Sequence, residues 1–273
     1  MRELLIQAEP EPIKIDSLKT AVIVVDMQNA FLSKGGYFDL AGHDLSDAQK
    51  IIRPCKEIIN MARGEGSKII YLQMGCCPDL SDAGNLNSPN RLKSRGLKMA
   101  HQHPEWKEKL YIYGTWGAEI IEELKLQPGD ILVKKQKYDG FIGTNLDIIL
   151  RTYDVKYLLF MGIATNICVE STIRHAFFLD YFAILVSDAV SQVGPIPVQE
   201  ATLFNVRSTF GWVTTSENLL RALRGSRPLT VRRHSPSADS SLGMAALDGG
   251  APTLSPEGRG SKKIPSPRQR HKR

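Results

Sequence analysis

The 273-residue chain has no apolar run approaching the roughly 20 residues that a membrane-spanning helix needs. Its first residues, Met1-Arg2-Glu3-Leu4-Leu5-Ile6-Gln7, lead into Glu and Pro rather than into the apolar core of a signal peptide. The expectation is a cytoplasmic protein with no membrane partner. Cysteine is scarce as well: Cys55, Cys76, Cys77 and Cys168 form neither a disulfide framework nor paired Cys-x-x-Cys zinc spacing, as suits a reducing compartment. The histidines, His43, His101, His103, His175, His234 and His271, show no zinc-ligand spacing. No metal and no other cofactor is expected.

Large apolar residues also run short at one end of the chain. Up to Leu223 the apolar patterning is dense, whereas from Gly225 onward Ser, Pro, Gly, Arg and Lys dominate. Such a segment buries too little surface to offset its ordering entropy, which predicts a disordered tail over residues 225–273. That tail carries ten Lys or Arg against three Asp or Glu, so the remainder of the chain is close to neutral although the total is +6. A pI of about 9.1 would suggest a nucleic-acid binder if the basic residues lined a folded face. On a tail they support weak adhesion to polyanions, and no specific nucleic-acid partner is expected.

What is present is alternation. Five short apolar runs read as buried parallel strands: Thr20 to Asp26, Lys68 to Met74, Asp130 to Lys135, Lys156 to Gly162 and Phe182 to Asp188. Between them Cys55, Ile58, Ile59 and Ala62 line one helix face, and Ile120, Ile121 and Leu124 another that Pro128-Gly129 would end. Thr144-Asn145-Leu146-Asp147 has the form of a capping box. Strand and helix alternating in this way predict a single α/β domain, a doubly wound parallel sheet with helices on both faces. The domain is expected over residues 15–224, after an N-terminal arm of residues 1–14.

In such a sheet ligands bind beyond the carboxyl ends of the strands. Those ends carry Asp26, Gln73, the pair Lys134-Lys135, and the turn Gly162-Ile163-Ala164-Thr165-Asn166 that leads to Cys168. Asp26 could merely cap the next turn, but it is also a base within reach of a thiol on the same rim. One of the two lysines would hold positive charge beside that thiol, and alternation does not choose between them. Cys168 at the start of a helix is expected to be a nucleophile with its pKa depressed below the ordinary value of about 8.5. The small-residue turn could aim backbone N–H groups at a developing oxyanion, each worth roughly 3 kcal/mol. Cys55, on an apolar helix face, reads as core; Cys76 and Cys77 read as loop residues near the rim. His175 lies about 10 Å along the helix from Cys168, too far to act on it.

At these residues the chain resembles the isochorismatase-like cysteine hydrolases over residues 15 to 223, with Asp26, Lys135 and Cys168 falling on the family's Asp, Lys and Cys. Through this resemblance the spacing to Tyr138, Gly140 and Phe141 selects Lys135, and the Ile163–Ala164 bond is expected to be cis. Within the family the likeness runs to the branch that cleaves ureidoacrylate, or peroxyureidoacrylate, in pyrimidine catabolism. The stretches that carry it include Gly35-Gly36-Tyr37-Phe38-Asp39-Leu40-Ala41-Gly42, Ser88-Pro89-Asn90, Lys93-Ser94, Gly114-Thr115-Trp116 and Val169-Glu170-Ser171-Thr172. Met74, Cys76 and Asp139 depart from that branch, which has Asn, Trp and Ser nearby.

The resemblance implies a cofactor-free amidohydrolase acting on a small-molecule ureido substrate, with aminoacrylate and carbamate as products, and assembly as a homo-oligomer. Asp26 would be the base, Cys168 the nucleophile, Lys135 the cation that holds both, and the N–H groups of Ala164 and Cys168 the oxyanion hole. Gln73, Asn90, Trp116, Tyr138 and Gln192, each polar or aromatic in a rim loop, are the expected substrate contacts. Hydrolysis of biuret, triuret or another N-carbamoyl compound is the alternative. A vinyl-ether hydrolase or an inactive binding scaffold fits the turn around Cys168 less well. For the tail, truncation after Arg224 is expected to leave turnover and melting temperature nearly unchanged while removing salt-sensitive retention on heparin, which paired activity, melting and column measurements check.

Overall fold

The computed structural model describes residues 3–225. Strands β1 (Glu3–Ile6) and β2 (Ile13–Asp16) form an antiparallel hairpin. Strands β3 (Thr20–Val25), β4 (Lys68–Met74), β5 (Ile131–Lys135), β6 (Tyr157–Ile163), β7 (Phe182–Ser191) and β8 (Trp212–Thr214) form one sheet in the order β5-β4-β3-β6-β7-β8. All its pairings are parallel. The longer helices are α1 (Ile52–Gly64), α2 (Arg95–Gln102), α3 (Leu146–Thr152), α4 (Glu170–Phe178), α5 (Ile196–Asn205) and α6 (Ser216–Gly225). Among the described residues no helix is long and apolar enough to cross a membrane.

The sheet is buried on both faces, which is why its central strands are apolar at nearly every position rather than at every second one. Val22 and Val24 of β3 pack in one core with Ile69 and Tyr71 of β4 and Leu159 and Met161 of β6. Cys55, Ile58, Ile59 and Ala62 of α1 cover that face, together with Leu219, Leu220 and Leu223 of α6. Ala21, Ile23 and Val25 point the other way, against Ile70, Leu72, Leu158 and Phe160, under Leu146 and Leu150 of α3 and Ile173 and Ala176 of α4. The chain steps outward from β3 through β4 to β5 and then returns to lay β6 on the other side of β3. The crevice beyond the ends of β3 and β6 is therefore the topological switch point, where this architecture leaves room for a ligand.

The five expected strands are present, with Asp26 just outside β3 and β7 running on to Ser191. Two features differ at the ends of the chain. Residues 3–16, read as part of an arm and its boundary, form the hairpin, with Leu4, Ile6, Ile13 and Ile15 buried. Glu9 and Val213 exchange backbone hydrogen bonds of 2.8 and 2.9 Å, so the segment after β1 pairs with β8 and covers an otherwise open sheet edge. β8 escaped the sequence reading because three residues give no periodicity to read. The expected tail from residue 226 onward lies outside the described residues, as do Met1 and Arg2.

Two local expectations are corrected. The segment around Ile120, Ile121 and Leu124 is not a helix but a single 3₁₀ turn over Glu122–Leu124. Ile121 N–H donates to Met27 O (3.0 Å) and Ile120 bridges Gln28, so the loop after β3 takes the hydrogen bonds that a helix would have used. At the start of α3 there is no reciprocal capping box. Thr144 Oγ1 does accept from Leu146 N–H (3.1 Å), but Asp147 takes the Tyr181 hydroxyl (2.7 Å) and Arg151 instead of reaching back.

Gly162 shows how tightly the switch point is built. Its φ is +112°, and a Cβ there would stand 2.1 Å from the carbonyl oxygen of Val25 on β3. Gly162→Ala is expected to cost about 3 kcal/mol or more, since the left-handed backbone and the backbone clash both resist relaxation. A denaturation midpoint at unchanged slope measures the loss.

Candidate active site

Three strand ends deliver three reactive groups to the crevice. Asp26 follows the last residue of β3 in the left-handed region, φ +50°, a conformation that Asp tolerates better than most residues. Its N–H donates to Leu72 O (3.0 Å), and its Oδ1 accepts from Met74 N–H (3.0 Å), so β4 holds the carboxylate from both ends. Lys135 closes β5, two strands away, and reaches across the end of β4. Strand alternation there buries Lys135 completely and turns Lys134 outward, with its ammonium 4.7 Å from the centre of the Tyr113 ring. Lys135 Nζ donates to Asp26 Oδ2 at 2.8 Å and to the carbonyls of Lys137 (3.2 Å) and Tyr138 (3.3 Å).

Cys168 arrives from β6 through a turn with a cis Ile163–Ala164 bond and a π-helical turn, Thr165–Val169, which leads into α4. The turn is fixed by its side chains. Asn166 exchanges two 3.1 Å hydrogen bonds with the backbone of Val193, and Thr165 Oγ1 donates to Gln199 Oε1 of α5 (2.8 Å). Thr172 Oγ1 donates to Cys168 O (2.6 Å) and accepts Gly140 N–H (3.0 Å), tying the nucleophile's helix to the loop after Lys135. The Cys168 thiol stands close enough to Asp26 and Lys135 for both to act on its ionisation.

Burial sets the electrostatics of this group and corrects the expected acidity of Cys168. Removal from water pushes the thiol up, not down; Lys135 opposes the shift, and the Asp26 carboxylate adds to it. Burial likewise raises Asp26 against the pull of Lys135. For Lys135, burial works against the ammonium, but Asp26 and Cys168 outweigh it and hold the amine charged. One ammonium thus faces two acids in a site without bulk water, and the stable arrangement has a single negative charge shared by the pair. Moving the proton from sulfur to carboxylate changes no net charge, so the thiolate can form at the moment of attack. The remaining thiols differ. Cys55 is deep in the core, with its sulfur 3.5 Å from Ala189 O, and Cys76 is fully buried with its pKa pushed up to about 12.

A cavity of about 100 Å³ opens onto Asp26 and Cys168. Phe31, Tyr37, Phe38, Tyr111, Ile163 and Ile167 make it largely apolar, and Ala164, Met74, Tyr138, Ser94, Arg95 and His43 complete much of its wall. Of the five expected substrate contacts, Tyr138 lies in this wall. Gln73 is drawn away by a buried backbone carbonyl, its Nε2 donating to Ala118 O at 2.7 Å. Asn90 Nδ2 donates to Ala83 O (2.8 Å) and borders a neighbouring groove, as Gln192 does on another side. Trp116 is substantially exposed and outside the wall. Tyr37, Phe38 and Ser94 belong to stretches already singled out by resemblance, whereas Phe31, His43, Arg95 and Tyr111 carried no sequence signal, since a one-turn helix, loops and the first residue of α2 bring them in. Asp139 pairs with His175 at 2.5 Å. Among the described residues no cluster of three or more His, Cys, Asp and Glu is arranged to hold a metal.

The charge balance has a measurable consequence. In Asp26→Asn the carboxylate that opposes thiolate formation is gone while Lys135 remains, so Cys168 is expected to ionise at lower pH than in the unaltered protein. Turnover in the same variant is expected to drop on the order of a hundredfold or more, because the proton acceptor is lost. A titration of thiolate ultraviolet absorbance, with Asp26→Asn/Cys168→Ser as the blank, checks the first point; an unmoved titration contradicts it.

Comparison with known proteins agrees with this arrangement. The isochorismatase domain model matches residues 20–218. Ureidoacrylate amidohydrolase RutB of Caulobacter segnis is 48% identical over 213 residues, covering 78% of this chain and 89% of that protein. The protein of the same name from Agrobacterium fabrum is 46% identical over 223 residues, 82% of this chain and 98% of its own length. Among solved structures, a cysteine hydrolase from Pseudomonas syringae pv. phaseolicola superposes with a TM-score of 0.65 at 30% identity, over 78% of this chain and 96% of that one. Sheet order, switch-point crevice and sequence likeness agree: the chain belongs to the isochorismatase family.

Proposed function

We propose that this protein is a cysteine amidohydrolase that cleaves the ureido group of ureidoacrylate, or of its peroxy form, to aminoacrylate and carbamate. The observation that carries the proposal is the buried contact of Asp26, Lys135 and Cys168 at the floor of a cavity sized for a small molecule. Its supporting context is the 46–48% identity to two ureidoacrylate amidohydrolases.

In the proposed reaction Asp26 takes the Cys168 proton as the sulfur attacks the ureido carbonyl carbon. The N–H groups of Ala164 and Cys168 receive the oxyanion. As the tetrahedral intermediate collapses, Asp26 returns the proton to the departing nitrogen, which leaves as the amine of aminoacrylate. The carbamoyl group stays on sulfur as a thioester. Water then attacks that carbonyl, giving one proton to Asp26, and the C–S bond breaks to release carbamate and restore the thiol. Carbamate decays to ammonia and carbon dioxide. Lys135 stays charged throughout and holds carboxylate and thiolate in register. Tyr138 is retained as a substrate contact. Gln73, Asn90, Trp116 and Gln192, outside the cavity wall, are more distant supports of the loops around it.

Biuret, triuret or another N-carbamoyl compound is the second reading, favoured by Met74 and Asp139 standing where the ureidoacrylate branch has other residues. Homo-oligomeric assembly and a cytoplasmic setting belong to the same proposal. Exposed Phe177, Phe178 and Phe204 are apolar surface available for contact between copies.

Ammonia release from ureidoacrylate, biuret, triuret and N-carbamoyl amino acids tests the reading, with ureidoacrylate expected to show the highest kcat/KM. Cys168→Ser, Lys135→Ala and Asp26→Asn are each expected to lose about a hundredfold or more, and the Asp26–Cys168 double variant to be scarcely worse than the worse single. Additive losses, or an unchanged rate in Cys168→Ser, would place the chemistry elsewhere.

A further inference from the structure

Arg95 stands in the wall of the cavity that contains Cys168. The charge of Lys135, buried behind that wall, is matched by Asp26 at 2.8 Å. Arg95, in the wall, has no ion pair among the described residues. Tyr37 and His43 lie close enough to Arg95 for its charge to shift their ionisation. Burial and Arg95 both push His43 below its ordinary value, and burial pushes Tyr37 above its own, so both rings are neutral near pH 7. Among the described residues no carboxylate forms an ion pair with this guanidinium, and Tyr37, Phe38 and Tyr111 share the wall with it.

The backbone beneath Arg95 is held firmly. It is the first residue of α2, between Ser94 and Gly96, both buried. Ser94 Oγ caps Leu97 N–H at 3.3 Å and hydrogen-bonds the Tyr111 hydroxyl at 2.8 Å. Gly96 lies against the same ring so closely that a Cβ would stand 2.4 Å from the Tyr111 hydroxyl oxygen. Both neighbours of Arg95 are thus fastened to Tyr111, itself part of the cavity wall, while Arg95 is exposed. This is how a fold presents a planar, permanently charged donor to an incoming carboxylate.

We infer that Arg95 is the anchor for the substrate's carboxylate, so that the site takes N-carbamoyl acids and discriminates against neutral ureas of the same length. The inference rests on the ureido reading above and adds to it the group that recognises the end of the substrate remote from the reacting carbonyl. Phe31, Phe38 and Ile167, which line the same cavity, suit a short carbon spacer.

The test uses 3-ureidoacrylate and N-propenylurea, in which a methyl group replaces the carboxylate, with ammonia release followed for the full-length protein, Arg95→Met and Arg95→Lys. A charge-assisted hydrogen bond is worth about 1.5–3 kcal/mol, roughly ten- to a hundredfold. Arg95→Met is expected to raise KM for 3-ureidoacrylate by that factor with kcat nearly kept, and to leave kcat/KM for N-propenylurea unchanged. Arg95→Lys should fall between, because it retains the charge without the fork. Equal losses on both substrates, or an unchanged KM for the acid, overturn the assignment of Arg95 and leave the ureido reading standing. An unaltered protein that hydrolyses neither compound overturns the ureido reading, and this assignment with it.

Discussion

The structure around the crevice depends on a buried ion pair, Lys135 to Asp26 at 2.8 Å, in a place where neither charge reaches bulk water. Removing either partner would strand the other, a penalty of several kcal/mol, so the pair is an obligation the surrounding backbone must meet. It does so with main-chain groups. Two carbonyls of the loop after β5 accept from the ammonium, and Met74 N–H donates to a carboxylate oxygen. The same pair governs the cysteine, since the charge that would otherwise lower its pKa is already engaged by Asp26.

The second requirement is that Cys168 be delivered to that pair without freedom to move. The turn after β6 is bound on one side to Val193 through Asn166 and on another to α5 through Thr165. Behind it, Glu170 is a hub for Arg174, Thr202 and Asn205, and fixes α4 to α5. Polar residues of the motif around the cysteine are thus largely structural: they convert a small-residue turn into a rigid mount. This leaves the pocket chemistry to residues from other elements, Tyr138 from the loop after β5 and Arg95 from α2.

Legibility in the sequence followed periodicity and chain order. β3, β4 and β6 could be read because parallel strands covered on both faces are apolar at nearly every position, and α1 because Cys55, Ile58, Ile59 and Ala62 repeat at helical spacing. The segment at Ile120 to Leu124 imitated that spacing, yet its backbone pairs with the loop after β3, a long-range competition that no local pattern reveals. Gln73, Asn90, Trp116 and Gln192 were read as contacts because they sit in rim loops. Backbone carbonyls at Ala118 and Ala83 claimed two of them, since a buried carbonyl needs a donor.

The sequence by itself determined the five long strands of the parallel sheet, the apolar faces that force it to be covered on both sides, and the set of Asp26, Cys168 and one of Lys134 and Lys135 that strand ends would bring to one rim. These are consequences of local pattern and of the rule that puts ligands beyond parallel strand ends. Tertiary structure decided the rest. It chose Lys135 over Lys134 through the pleat of β5, and it folded residues 3–16 back over the core. It also reversed the expected acidity of Cys168 by burying it beside a lysine already paired with a carboxylate, and placed Arg95 in the cavity wall with no ion pair among the described residues. Burial and charge pairing are properties of surroundings assembled from distant parts of the chain, and only the folded chain defines them.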